Sequence, residues 1–319
     1  MARPLTLKGI RAEFLAGIES APRRASLIAE MIPSTAESET YLYAGQVPQA
    51  REWTGSREAY DMFQASRPKV NRLYETTLKV DRFEKQDEQV EFYAGRIRDL
   101  AEAMMQLEDE RVLGDLIDAG ESATGAEDDA YDGQAFFDTD HVDPAAIYTT
   151  NQSNDRSATA ASPTAPTLDE FKAAMRTVLI AFRGFRDDRG RTWHRTIPKA
   201  VLLVPPNFES VATEFVASRS IHSGNPEIVN ALAKIMQFEL VVNDETAATD
   251  KMVVAIPQAR RMPFYVQHRI QPVFQQVTGD RAGEIDSVAF NDRYDFYGAY
   301  SRMAVGFGQW RNACLVTFA

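Results

Sequence analysis

The sequence predicts a protein of the mixed α+β class, and three patterns support this. Apolar residues recur at helical spacing from Asp87 to Ile117, whereas 40–80 mixes aromatic, β-branched, Gly and Pro residues with no such period. After Thr167, helical stretches alternate with short apolar runs typical of buried strands. With 319 residues, 44% of them hydrophobic, the chain can build one large or two medium cores.

The net charge of −11 is distributed unevenly. Residues 99–143 contain fifteen acidic residues and one basic residue, Arg111, so this stretch carries −14 and the remainder +3. Such a balance lacks the basic face that specific nucleic-acid binding requires. A single cysteine, Cys314, excludes an intrachain disulfide and any multi-cysteine metal site. The aliphatic run 200–204 is too short to cross a bilayer and the N-terminal stretch has no signal-peptide core, so we expect a soluble, unsecreted, intracellular protein without a membrane partner.

The first two segments predict a docking helix followed by a protruding hairpin. An apolar stripe at helical spacing ends at 20–22, and its members are Leu7, Ile10, Phe14 and Ile18. Residues 40–80 are expected to form an extended β-hairpin arm. Three basic residues surround Pro68, and we expect them near the hairpin tip; they are Arg67, Lys69 and Arg72.

A long helix is predicted next, with Asp87 as its N-cap and an acidic face opposite its apolar stripe. About thirty helical residues would span roughly 45 Å, so this helix would act as a spine. The following stretch 149–167 holds no large apolar residue and is expected to be a polar loop.

The most secure local prediction is a helix that starts at a capping box formed by Thr167 and Glu170. Its apolar stripe comprises Phe171, Met175, Val178, Leu179 and Phe182. A buried strand at 199–204, a helix through 211–216, and two further strands at 238–244 and 251–257 indicate an α/β subdomain, and the aromatic, Gly-rich end predicts strands that complete a sheet.

The stretch YDGQAFFDTDH, residues 131–141, is the strongest candidate for a chemical site. As a calcium loop it fails, because the third and twelfth positions counted from Asp128 are Ala130 and Thr139. Asp138, Asp140 and His141 could ligate zinc or manganese, but a fourth ligand would have to come from elsewhere. The favoured interpretation is a turn at Asp132 and Gly133 that buries Phe136 and Phe137, with the aspartates and His141 on the surface.

No nucleophile motif, phosphate loop or dinucleotide loop is present, and the four histidines are far apart in sequence. A lone cysteine such as Cys314 in a terminal β segment is usually a core residue. The sequence therefore predicts no enzyme, no catalytic residue, no metal and no cofactor.

Several ordered segments resemble one protein family. The stretch 20–57 followed by TLKVDRFEKQ, YDGQAFFDTDH, LDEFKAAMRTVLIAFRG and PKAVLLVPPNFE is similar to the Mu-like phage major head subunit family. The resemblance implies the Hong Kong 97-type capsid fold, which has an N-terminal arm, an extended E-loop, a peripheral domain with a spine helix, and an axial domain. On this mapping the arm is 1–39, the E-loop 40–80, the peripheral domain 81–191 with 263–319, and the axial domain 192–262.

The same resemblance implies a virion protein, made in the bacterial host cytoplasm, that self-assembles as pentamers and hexamers into an icosahedral head. Portal, scaffold and decoration proteins are implied partners, and double-stranded DNA would be enclosed without sequence-specific binding. Inter-subunit contacts are expected between the E-loop and the acidic spine of a neighbour, with the candidates Trp53, Arg57, Arg67, Lys69, Glu108, Asp109 and Glu110. Three alternatives stay open: an encapsulin-like cargo shell, a hydrolase that uses Asp138, Asp140 and His141, and a tail-tube or adaptor protein.

Overall fold

The computed structural model describes residues 7–47, 50, 52–53, 55, 64–81, 90–123, 125, 129–144, 146–217, 220–223, 225–229, 236–257, 262–277 and 294–319. Its helices are α1 (Leu7–Ser20), α2 (Val90–Asp109), α3 (Leu168–Gly184) and α4 (Glu209–Ala217). Its strands are β1 (Ala29–Pro33), β2 (Ser38–Ala44), β3 (Gln64–Val70), β4 (Arg72–Asp81), β5 (Asp155–Ala158), β6 (Lys199–Val204), β7 (Ser220–Ser223), β8 (Asn225–Val229), β9 (Gln237–Val242), β10 (Lys251–Ala255), β11 (Phe264–Val277), β12 (Tyr294–Phe307) and β13 (Ala313–Phe318).

A four-stranded sheet carries the two longest strands. Its order is β1-β11-β12-β4, with β1 parallel to β11 and the other pairs antiparallel. The register of β11 against β12 shifts on both sides of Ile270, next to Pro272. A proline has no N–H for the ladder, so an irregularity is expected at such a position.

A five-stranded sheet lies in the order β5-β13-β10-β6-β9. β6 and β9 are parallel, β10 is antiparallel to β6 and β13, and β13 is parallel to β5. The residues of β6 are almost entirely buried, as its unbroken aliphatic sequence predicts for an interior strand. β13 belongs to this sheet, so 313–318 lies with the strands of the expected axial domain and not with β11 and β12.

Two hydrophobic clusters hold these layers together. The larger joins the five-stranded sheet, α3, α4 and one end of the four-stranded sheet. The smaller packs α1 and α2 against β4 and β12, and includes Ile10, Phe14, Ile97, Met104 and Tyr297. Ile10 and Phe14 of the stripe predicted for α1, and Ile97 and Met104 of the stripe predicted for α2, therefore face the core.

The spine helix does not end at Asp109. The chain continues through a π-helical segment at Glu110–Leu116 and one further α-helical stretch at Ile117–Ala119. Val112 and Leu113 in the π segment are fully buried. The helical period predicts helix as far as Ile117, and the chain is helical from 90 to 119, with a π-helical segment inside that range. Asp87, the expected N-cap, lies outside the described residues.

The predicted hairpin is present, but its basic cluster is not at the tip. β2 pairs with β3 from Ser38↔Val70 to Ala44↔Gln64, so the connection between the strands lies between Ala44 and Gln64. Arg67 and Lys69 are therefore towards the foot of the hairpin, and Arg72 begins β4, which pairs with β12. The expectation of a basic tip is wrong because the strand register, which spacing along one strand does not reveal, decides where the chain turns.

The stretch 149–167 is not entirely loop, because β5 forms within it and pairs with β13. The predicted capping box is confirmed: the Thr167 hydroxyl accepts a hydrogen bond from the backbone N–H of Glu170, whose carboxylate accepts one from the N–H of Thr167. The helix that follows, α3, buries the whole predicted stripe. Among the described helices, none combines the length and hydropathy that a bilayer span requires.

Candidate functional site: the loop 130–143 and the surfaces around it

A tight turn begins the loop 130–143. The N–H of Gly133 donates to the carbonyl of Ala130 over 2.9 Å, and Gly133 has a φ of +91°, which side-chain-bearing residues rarely adopt. The Arg67 guanidinium donates to the same carbonyl through Nε and Nη2, at 3.1 and 3.0 Å. The turn thus connects the foot of the β2–β3 hairpin to the body of the chain.

Two phenylalanines follow the turn and enter the larger core. Phe136 is fully buried and stacks on Phe307 of β12, with ring centroids 4.6 Å apart and planes 11° apart. Its ring also lies 5.1 Å from Phe264 of β11 and 4.9 Å from Phe137. A Cβ on Gly120 would lie 2.8 Å from the Phe137 ring, so the end of the spine segment approaches this loop closely.

His141 is buried, contrary to the expectation that it lies on the surface. Its Nδ1 lies 2.7 Å from a carboxylate oxygen of Asp132, and its Nε2 lies 3.3 Å from the carbonyl of Phe136 and 3.2 Å from Oδ1 of Asn154. The imidazole stacks on Trp310 at 4.1 Å. The side chains of His141 and Asp132 both have zero exposed fraction. Both ring nitrogens therefore have partners within the fold.

A buried ion pair lies on the other side of Trp310. Arg311 is 1% exposed and donates to the carboxylate of Asp143 at 2.7 Å, to the hydroxyl of Tyr131 at 2.5 Å and to the carbonyl of Arg186 at 2.8 Å. Tyr131 also donates to Asp143 at 2.6 Å. A buried charge is costly unless it is paired and hydrogen-bonded. These hydrogen bonds of Arg311 therefore hold the loop 130–143 against the segment that precedes β13.

Asp138 and Asp140 do not complete a metal site with His141. Asp138 is half-buried and Asp140 is exposed, and the hydrogen bond between the two side chains raises the pKa of Asp140. Across the described ranges, no three His, Cys, Asp or Glu side chains are grouped as metal ligands would be. A cleft of about 490 Å³ opens beside the loop, but its lining includes Tyr131 and Asp143 and neither Asp138 nor Asp140.

The hairpin candidates for inter-subunit contact divide into exposed and internal residues. Trp53 is 70% exposed, and its indole N–H donates to the carbonyl of Gly55. Arg67 contacts its own chain at Ala130, and Lys69 is buried. Arg57 lies outside the described residues. Of the basic side chains expected to reach a neighbour, Arg67 is thus engaged within the subunit and Lys69 is enclosed by it.

The acidic candidates divide in the same way. Asp109 is 1% exposed, accepts from Arg24 Nε at 3.1 Å and from the N–H of Ala25 at 2.7 Å, and so fixes the chain after α1 against the spine. Glu108 is buried with a carboxylate oxygen 3.3 Å from Nε2 of His268, and burial raises the pKa of Glu108 to about 7. Only Glu110 of the three is exposed.

The sequence did not indicate three residues that hold the loop 130–143 in place, namely Asn154, Trp310 and Arg311. The amide of Asn154 donates to the carbonyls of Phe136 and Trp310 at 2.8 and 3.2 Å. A polar loop residue and a Gly-flanked aromatic segment give no signal of this contact, because their partners are 18 and 156 residues away in sequence.

These parts have the arrangement found in phage capsid folds: a β-hairpin and a long helix lie against a four-stranded sheet, beside a separate five-stranded sheet with helices. The fold matches the solved procapsid of bacteriophage JBD30 with a TM-score of 0.53 and 24% identity, over 99% of this chain and 76% of that one. The predicted Hong Kong 97-type fold is confirmed.

The family follows from the sequence. Residues 5–173 match the family described as Mu-like prophage major head subunit gpT, and the chain belongs to this family. It is 33% identical over 144 residues to the Mu-like prophage FluMu major head subunit of Haemophilus influenzae, and 29% identical over 142 residues to the major capsid protein of Escherichia phage Mu. These matches cover 45% and 43% of this chain and 45% of each relative's length.

Proposed function

We propose that this chain is a major capsid subunit that self-assembles as pentamers and hexamers into the icosahedral head of a Mu-like phage or prophage. The observation that carries this is the match of 99% of the chain to a phage procapsid subunit, together with its membership of a head-subunit family. The proposed role is structural, and the enclosed pair of His141 and Asp132 fits it, because their polar atoms bond within one loop.

Assembly in this proposal depends on many modest contacts that become strong together when the shell closes. The β2–β3 hairpin would lie over a neighbouring subunit, and three of its apolar side chains are exposed by 72%, 66% and 70%: Leu42, Val47 and Trp53. Several large apolar side chains exposed on one segment are typical of an interface. Because Arg67, Lys69, Glu108 and Asp109 are engaged or buried within the subunit, we assign the hairpin contact to these apolar residues, with Glu110 as the exposed acidic candidate.

Trp53→Ala tests this assignment. We expect a clear loss of particle yield with unchanged subunit stability, measured by light scattering and thermal unfolding. Ile180→Ala is the matched control, because Ile180 is 72% exposed on α3, which is not part of the hairpin. If Trp53→Ala and Ile180→Ala gave equal particle yields, the hairpin would not form the inter-subunit contact assigned to it.

The proposed head would enclose double-stranded DNA without sequence-specific contacts, and portal, scaffold and decoration proteins would be its partners in the virion. The domain division is also part of the proposal. The axial domain would be centred on the five-stranded sheet, with β13 included, and the peripheral domain on the four-stranded sheet and α2.

Negative-stain electron microscopy of the purified protein is the decisive experiment. Closed polyhedral shells are expected. Shells that contain a co-purified cargo protein would instead favour an encapsulin-like compartment, and rings or tubes would favour a tail-tube or adaptor role. A persistent monomer that hydrolyses substrate in the presence of added metal would overturn the proposal.

A further inference from the structure

Arginines are concentrated in the segment that precedes β6, and Arg183, Arg191 and Arg195 line one shallow pocket there. The stretch 183–195 begins in the last turn of α3 and continues towards β6, and it contains five arginines and two aspartates: Arg183, Arg186, Arg189, Arg191 and Arg195, with Asp187 and Asp188. Both aspartates are buried, and Asp187 accepts a hydrogen bond from Arg191 Nε at 2.6 Å. Arg183 and Arg195 are exposed, and no carboxylate in the described part of the chain pairs with either. We call this stretch the basic surface.

The acidic surface is formed by the end of the spine segment and the loop between β9 and β10. Its carboxylates are Asp115, Asp118, Glu121, Asp244, Glu245 and Asp250, and the neighbouring cations are Arg24, Arg111 and Lys251. Side-chain contacts join the end of the spine segment to the loop between β9 and β10. Asp118 accepts a hydrogen bond from Thr246 at 2.5 Å, and Lys251 pairs with Glu121 at 2.6 Å. Arg24 pairs with Asp244 at 2.5 Å and with Glu245 at 2.7 Å.

These two surfaces lie at opposite ends of the sheet. The basic surface precedes Lys199, where β6 begins, whereas the loop of the acidic surface follows Val242, which is paired with the last residue of β6. Six residues of strand separate the two ends by roughly 17 Å. Helix α3 also extends from the acidic surface to the basic surface. The side-chain amide of Asn207 donates to the carbonyls of Thr164 and Thr249 at 2.5 and 2.7 Å, which holds the start of α3 beside the acidic loop. Arg183 lies at the other end of α3.

We propose that the basic surface of one copy binds the acidic surface of the next copy in a head-to-tail contact within each capsomer. This inference rests on the proposed function and names the surfaces that close its rings. A head-to-tail contact repeated around an axis generates a closed ring, and it requires two different complementary patches on one chain. A subunit with a net charge of −11 repels its copies unless opposite charges meet, and these surfaces supply that match.

Two charge reversals test the contact. Arg183→Glu with Arg195→Glu reverses the basic surface, and Asp115→Lys with Asp118→Lys reverses the acidic one. We expect each double variant to fold and to lose roughly tenfold or more in particle yield at low ionic strength, with the loss reduced by salt. The matched control is Arg96→Glu with Arg176→Glu, which makes the same charge change at exposed residues outside both surfaces and should assemble normally.

Mixing the two reversed variants gives a sharper readout. Glutamates of one variant then meet lysines of the other, so strictly alternating rings are stable. Alternation is possible around a six-membered ring and impossible around a five-membered one, so we expect hexamers, sheets or tubes without closed shells. A chain that carries all four substitutions should form shells again.

Two outcomes would overturn the inference. One is normal assembly with unchanged salt dependence for both reversed variants while the wild-type chain forms shells. The other is normal assembly of Arg183→Glu with Arg195→Glu combined with weaker retention of double-stranded DNA in a filter assay, which would assign the arginines to nucleic-acid phosphates. Failure of the wild-type chain to form shells would instead refute the proposed function.

Discussion

Phe136→Ala tests whether the loop 130–143 stabilises the subunit from within. The ring of Phe136 has no exposed area and contacts Phe137, Phe264 and Phe307 with centroid distances between 4.6 and 5.1 Å. Removal of such a side chain costs about 3–5 kcal/mol, through lost burial and the cavity that remains. We expect the upper half of that range, because aromatic pairs contribute about 0.5–1.5 kcal/mol beyond their buried area.

The expected change in melting temperature follows from chain length. At about 2.1 cal/mol/K per residue, 319 residues give an unfolding entropy of about 0.7 kcal/mol/K, so a loss of 4–5 kcal/mol lowers Tm by roughly 6–7 °C. Differential scanning calorimetry of the unassembled subunit measures this, and assembly yield at a temperature just below the new Tm should fall in parallel.

Phe92→Ala provides the matched control. Phe92 lies on α2 and is 54% exposed, so the same truncation should cost under about 1 kcal/mol. A Phe136→Ala subunit that melts within about 1 °C of the Phe92→Ala subunit would refute the idea that the aromatic cluster anchors the loop.

Four further predictions concern single residues. Glu108 has a pKa of about 7 in the folded state against 4.5 in the unfolded state, and its neighbour His268 stays neutral because burial lowers the pKa of His268. The folded state therefore binds the proton of Glu108 more tightly than the unfolded state. The resulting stabilisation is complete below about pH 4.5 and is lost as pH rises through about 7. Glu108→Gln keeps the neutral form and should gain up to about 3 kcal/mol over wild type between pH 5 and pH 8 in urea unfolding. Thr167→Ala removes the N-cap of α3 and should cost about 0.5–2 kcal/mol in the same assay. Gly133→Ala should cost about 1–2 kcal/mol because φ there is +91°. Burial raises the pKa of the Cys314 thiol to about 12, so maleimide should label it only after unfolding.

Matched positions provide controls for the glycine and threonine substitutions. Gly184→Ala should be neutral or stabilising, because Gly184 ends α3 with open space around it. Thr177→Ala removes a hydroxyl from an exposed helical position and should change stability little. A pH-independent difference between Glu108→Gln and wild type, or labelling of Cys314 in the native subunit at the rate of a free thiol, would contradict the assigned burial.

The sequence predicts α3 and its cap correctly because both signals are local. The capping box occupies four consecutive residues, and the apolar stripe is fixed by the helical repeat alone. The position of the hairpin tip could not be read in the same way, because it depends on which residue of β3 pairs with Ser38. The fold class and the family were identified from the order of several segments, and both are confirmed.

The interior of the candidate site was beyond prediction for a related reason. Spacing alone indicates a turn at Gly133 and two phenylalanines directed inwards. It does not indicate that Asp132 and His141 turn inwards as well, since this depends on Trp310 and Asn154 meeting them from remote parts of the chain. An aspartate-rich loop looks solvated in sequence unless its partners are known.

The strand order of the two sheets has a kinetic consequence. β5 pairs with β13 although about 160 residues lie between them, and β1 pairs with β11 across more than 230 residues. Neither sheet can close until these distant segments meet, and high contact order makes such folding slow. Until β5 pairs with β13 and β1 pairs with β11, β13 and β11 each present an unpaired edge that can bind another chain. Slow synthesis at low temperature should therefore raise the yield of soluble subunit, because it gives each chain time to close its own sheets before it encounters a second copy.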